Sequence, residues 1–213
     1  MTANTHIAFA SFSYLLLCST TNQVVSLFGM VCLLFGALLP DIDTPKSLIG
    51  RTLFFLSHRI DVKVGHRTFT HSLLFLGILG LVSFLLSYYF FPQFSNFFNV
   101  FLLGVGSHIF LDCMNKQGVL LFYPANRWCV LPGNAKYRVE VGSNAEWVFL
   151  GIFLIASLVW YPISQKGVIK TLHWFMGDIQ SAVTDYKEYV LGNEVWADVI
   201  GADNLTNKEV RGF

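Results

Sequence analysis

No Asp, Glu, Lys or Arg occurs in residues 1–40, 68–111 or 147–165. Uncharged, largely apolar runs on that scale leave few folds open. About 20 such residues in a helix cross the roughly 30 Å hydrocarbon core of a bilayer. A water-soluble domain carries about 25% charged residues; here the figure is 13%, against 54% hydrophobic. A soluble globular domain, a secreted disulfide scaffold and a disordered chain all fit poorly. The reading is an all-α, polytopic helical membrane protein.

Five candidate spans can be drawn, at residues 6–18, 24–39, 70–91, 97–113 and 146–163. The membrane-embedded domain is then 1–165, with 166–213 as a short amphipathic and polar tail. Positive charge sets orientation. Lys46, Arg51, Arg59, Lys63 and Arg67 fall between the second and third spans, and Lys116, Arg127, Lys136 and Arg138 between the fourth and fifth. The connections at 19–23 and 92–96 hold no basic residue. The N-terminus and both long loops are therefore expected in the cytoplasm. No basic region precedes the first apolar stretch, so it reads as a retained span rather than a cleaved signal.

The loops carry structure of their own. Residues 47–56 are apolar enough for a short interfacial or re-entrant helix, and 118–141 suggest turns and a small hairpin. The tail at 171–190 is amphipathic, with Trp174, Phe175 and Tyr186. Cys18, Cys32, Cys113 and Cys129 show neither paired nor zinc-finger spacing, so no disulfide and no thiolate site is assigned. A net charge of +1 offers no field for nucleic acid. The expected partners are the bilayer and a lipid or amphiphilic substrate.

Against this background the few ionisable residues at span ends stand out, because burial there is costly unless they are paired or metal-bound. His6 opens the first span, Asp41 and Asp43 close the second, and His66 and His71 lead into the third. His108 and Asp112 close the fourth, and Glu146 opens the fifth. The orientation rests on Lys and Arg alone, yet it carries all eight of these groups to one membrane face. His108 and Asp112, four apart, share a helix face. Asp41 and Asp43, two apart after Pro40, would point the same way from an extended segment. Gly65 suggests a loop in which His66 reaches back over the helix begun by His71. Imidazole and carboxylate without thiolate suit zinc, manganese or iron, as one ion or two. Plainer roles exist for each: His6, Asp41 and Asp43 as helix caps, Arg67 as a topology-setting charge. His58 and His173 lack carboxylates at useful spacing.

At these motifs the chain resembles the YdjM-like family of bacterial inner-membrane proteins, classed as metal-dependent hydrolases. The resemblance rests on His6, Leu-Leu-Pro-Asp41-Ile-Asp43, Gly65-His66-Arg67-Thr-Phe-Thr-His71-Ser-Leu and Gly-Ser-His108-Ile-Phe-Leu-Asp112. Gly118-Val-Leu-Leu-Phe-Tyr-Pro124 and Glu146 also match, and about residues 4–160 are covered. It implies a membrane hydrolase whose motif His and Asp residues bind a divalent metal ion, zinc or manganese. His6, Asp41, Asp43, His71, His108 and Asp112 are the expected ligands. His66 is a further ligand or a general acid, Glu146 a ligand or base, and Arg67 a clamp for an anionic group, which favours a phosphoester. Two other classes fit the same residues: an ion or proton transporter using His and Asp, and a non-catalytic protein stabilised by its metal. The gathering of polar groups at one face and the lack of inverted repeats argue against transport.

Overall fold

The charge-free runs fold as helices in the computed structural model, which describes residues 1–21, 23–168, 171–172, 183, 187, 199–202 and 209–212. Seven α-helices occur among them: α1 (Ala3–Thr21), α2 (Leu27–Leu38), α3 (Leu48–Thr52), α4 (Phe54–Val64), α5 (Leu73–Tyr89), α6 (Ser95–Cys113) and α7 (Asn144–Lys166). Serine starts four of them, its hydroxyl accepting a backbone N–H of the first turn: Ser26 for α2, Ser47 for α3, Ser72 for α5 and Ser143 for α7. Such caps satisfy donors that a helix start leaves unpaired. Gly65 at φ 85° and Gly167 at φ 82° end α4 and α7 in a backbone region that side chains disfavour.

Among the described residues, two helices are long and apolar enough to cross a membrane by length and composition, Pro92–Cys113 and Asn144–Gln165. Hydropathy alone leads to five. The difference has a local cause, since the polar motifs do not continue the helices but wind as tight 3₁₀ turns, Leu39–Asp43 after α2 and Phe69–His71 before α5. These turns leave α2 with 12 residues and α5 with 17. Residues 41 and 43 are accordingly not extended, and their carboxylates diverge.

Helices α1, α2 and α6 pack on one another, α5 lies against α6, and α7 against α1. Ala10, Tyr14, Cys18, Leu33, Ala37 and Val100 form their shared buried core. The α2–α6 crossing is a reciprocal glycine contact: a Cβ on Gly104 would strike the Leu33 carbonyl, and one on Gly36 the Phe101 carbonyl. Small residues at such crossings let helix backbones approach closely where lipid supplies no hydrophobic drive. Trp160 Nε1 donates to Ser19 Oγ at 2.9 Å and ties α7 to α1. Outward faces stay apolar, with Leu81, Phe84, Trp147 and Leu158 exposed, a surface suited to hydrocarbon and not to water.

Residues 47–56, expected as a short interfacial helix, form α3 and the start of α4. The region 118–141 contains one isolated antiparallel bridge, Val119 with Cys129, and is joined by a second, Val139 with Asn115, rather than forming a hairpin ladder. Residues Val168–Phe213 form a separate unit. Within it Val199–Ala202 pairs antiparallel with Glu209–Gly212, a ribbon the polar sequence does not announce. Trp174, Phe175 and Tyr186 lie outside the described residues.

Candidate metal centre

His108 is set by the glycine crossing. Gly104, one turn earlier on α6, brings the end of α2 close enough for His108 Nδ1 to donate to the Ala37 carbonyl at 2.5 Å. That bond fixes the tautomer, so Nε2 carries the lone pair. His71 is set in the same sense from the opposite side: its Nδ1 lies 3.0 Å from Thr70 Oγ1 and 3.2 Å from Asp43 Oδ2. The two Nε2 atoms face each other at 3.2 Å. Asp41 Oδ1 stands 3.5 Å from His108 Nε2 and 3.8 Å from His71 Nε2, and Asp112 Oδ2 lies 3.6 Å from His71 Nε2. His6 stacks on His108 with ring centroids 3.7 Å apart and reaches within 3.3 Å of Asp112 Oδ1. All but Asp41 are buried, and Asp41 is half-buried.

Lone pairs turned toward one another in a buried site repel unless a cation or proton lies among them. Two nitrogens about 2.05 Å from a zinc ion at the tetrahedral angle would be roughly 3.3 Å apart, which the observed 3.2 Å matches. Buried His6 Nδ1 and Nε2 have no hydrogen-bond partner among the described residues, and Asp112 Oδ2 has only an ion pair with Arg67 Nε at 3.0 Å beside the imidazoles. Two overlapping sets could hold an ion, His6–His108–Asp112 and Asp41–His71–His108. Burial pushes the Asp41 carboxyl up, but where the facing imidazoles take up a proton, the hydrogen bond and charge of His108, with the charges of His6 and His71, outweigh it and bring it to about 2. Asp41 is thus ionised, as a ligand must be. The donor set is imidazole and carboxylate, the borderline chemistry of zinc, manganese or iron. Cys113 adjoins Asp112 but belongs to neither set.

Four of the expected site residues, Asp43, Glu146, Arg67 and His66, stand behind these donors. Asp43, fully buried, receives Arg67 N at 2.9 Å, Thr70 Oγ1 at 2.6 Å and His66 Nδ1 at 2.7 Å, besides its contact with His71. Burial would raise its carboxyl, and the hydrogen bonds of His66 and His71 hold it well below the ordinary range. Its oxygens are therefore engaged in orienting two imidazoles, the carboxylate–histidine arrangement found behind metal ligands. Asp43→Asn is expected to retain the fold and weaken divalent-ion affinity about 10–100-fold, read by competition with a chelating dye; unchanged affinity would return Asp43 to a purely architectural role.

Glu146 belongs to neither set and holds the helix starts together. Thr2 N and Thr5 Oγ1 donate to its Oε1, and Gly142 N donates to Oε2 at 2.6 Å. It thereby fastens the start of α1, and with it His6, to the start of α7. Arg67, at φ 60°, has Nε 3.0 Å from Asp112 Oδ2 and donates from Nη1 to Gln117 Oε1 at 2.9 Å. Its charge is directed into the centre rather than held open. The α-amino group of Met1 also donates to Asp112 Oδ1, at 2.6 Å. His66 lies in the loop after Gly65 as its spacing suggests, with Nδ1 between Asp43 Oδ1 and Thr44 Oγ1.

Thr70, Thr44, Gln117 and the Ala37 carbonyl escape a search for metal-ligating residue types. Only Thr70, adjacent to His71, has a position that hints at its part.

A family model described as YdjM inner membrane protein matches residues 1–177, a stretch that contains every donor above. The chain belongs to the YdjM family. Inner membrane protein YdjM of Escherichia coli (strain K12) is 43% identical over 135 residues, covering 60% of this chain and 63% of that protein. The uncharacterized protein YvsG of Bacillus subtilis (strain 168) is 34% identical over 132 residues, or 62% of this chain and 77% of YvsG. The chain spans a little under two thirds of the E. coli protein's length. No solved structure matches. YdjM membership agrees with the exposed apolar surfaces of α5 and α7 and supports an inner-membrane location.

Proposed function

We infer that this YdjM-family protein is a metal-dependent hydrolase of the inner membrane that acts on a lipid or amphiphilic phosphoester. The observation that carries the reading is the pair of opposed Nε2 lone pairs at 3.2 Å with two carboxylates around them. His6, Asp41, His71, His108 and Asp112 would hold the ion, in one or other of the two triads that share His108. A divalent ion so held supplies Lewis acidity and lowers the pKa of its water toward neutrality. Asp43 keeps His71 and His66 in their working tautomers. His66, less buried than the ligands, donates from Nδ1 to Asp43; as the imidazolium, which that carboxylate stabilises, it would deliver the Nε2 proton to a leaving oxygen. Arg67 holds Asp112 in place and adds positive charge beside the ligands. The basic loops favour a site at the cytoplasmic face, with α1, α2 and α5 crossing alongside α6 and α7.

Protein purified without chelators is expected to contain a divalent metal and to hydrolyse short-chain phosphoester lipids. Turnover should vanish on chelation and return with manganese or zinc. Metal-bound protein inactive across phosphoesters in detergent and in bilayers would overturn the hydrolase reading.

A further inference from the structure

Beside the metal centre is a cavity of about 550 Å³, with Asp41, His66 and Arg67 in its wall. Two more cations line it, Lys46 and Arg51. Both are exposed, and neither has an ion pair among the described residues. Arg67 differs, its guanidinium being engaged by Asp112 and Gln117. Asp41, in the same wall, has its carboxylate against His71 and His108 and forms no ion pair with Lys46 or Arg51. Unpaired cations beside a cavity attract and retain anions.

The backbone holds these two side chains in a fixed relation to the centre. Ser47 Oγ donates to the carbonyl of Asp41 at 2.7 Å and accepts Gly50 N at 2.9 Å. Gly50 lies so close to the Thr44 carbonyl that no Cβ fits between them. The turn bearing Lys46 and the helix α3 bearing Arg51 are thus tied to the same residue that offers a ligand oxygen. Leu48, in the same wall, is exposed, as an amphiphile with an apolar tail would require.

We propose that Lys46 and Arg51 form an anion subsite that binds the phosphate of the substrate and presents it to the metal centre. The proposal rests on the hydrolase reading for its purpose, but not for its test. Isolated full-length protein in uncharged detergent is titrated with inorganic phosphate and with dihexanoyl phosphatidic acid, and metal content is measured in the same samples. The double variant K46A/R51A is expected to lose about tenfold or more in affinity for phosphatidic acid. A control that removes two basic residues elsewhere, R127A/K136A, should bind as wild type, and all three proteins should hold the same metal. A parallel loss for inorganic phosphate would support recognition of phosphate itself; a loss confined to phosphatidic acid would support a lipid headgroup site. Equal binding by K46A/R51A and wild type, equal loss in the control, or no binding of either probe by wild type would overturn the subsite. Metal content and turnover report separately on the hydrolase reading, so either proposal can fail while the other stands.

Discussion

His108→Ala is expected to release the divalent ion, with bound metal falling to a small fraction of the wild-type content and affinity weakened by about a hundredfold or more, since even residues behind a ligand are worth 10–100-fold. His108 is common to both candidate sets, so no alternative grouping retains its nitrogen. The change also leaves the Ala37 carbonyl without its donor and His6 without the ring stacked on it at 3.7 Å. Some loss of thermal stability should accompany the loss of metal. His58→Ala is the matched control: that imidazole stacks on Phe54, outside the centre, and its removal should leave the metal content alone. Elemental analysis of both variants in parallel decides the matter. Unchanged stoichiometry in the His108 variant would sink the ligand assignment.

Gly104→Ala should produce a comparable loss without touching any donor. Its added Cβ would meet the Leu33 carbonyl, with Ala37 N at 2.8 Å and the Gly36 carbonyl carbon at 3.1 Å, all backbone that cannot rotate away. Overpacking of this kind costs about 1–3 kcal/mol. Helices α2 and α6 must part, and His108, one turn on, moves away from Ala37. Gly77→Ala adds the same methyl where nothing lies within 4 Å and should be neutral or mildly stabilising, as Ala exceeds Gly in helix propensity by up to about 1 kcal/mol. Unfolding in detergent and metal content are the readouts. A Gly104 variant with wild-type values for both would show that the crossing does not position the centre.

Much of the centre was legible from residue type and place. His6, Asp41, His71, His108 and Asp112 each interrupt or end an apolar run, where a buried polar group needs a reason. Helical spacing correctly put His108 and Asp112 on one face. Pattern could not separate Asp41 from Asp43, because that depends on the 3₁₀ turn that sends the first toward two Nε2 atoms and the second behind two Nδ1 atoms. Nor could it separate Glu146 from the donors, since an acidic residue three positions after Ser143 at a helix start serves capping and ligation equally well. Arg67 illustrates a third limit. Its charge was plain, but its commitment to Asp112 and Gln117 follows from a loop whose path only the fold defines. Helix lengths depart from the hydropathy reading for a related reason: hydropathy averages over residues 39 and 70–72, while the chain spends them on 3₁₀ turns at the candidate centre.

The bond from His108 Nδ1 to the Ala37 carbonyl also bears on how the centre fills. With one nitrogen committed to α2, His108 has one left to give, and the two donor triads that share it become mutually exclusive. An ion drawn toward His6 and Asp112 leaves Asp41 and His71 a donor short, and the reverse holds. Were the centre to hold a metal, this single backbone hydrogen bond would make the two overlapping sets alternative positions for one ion.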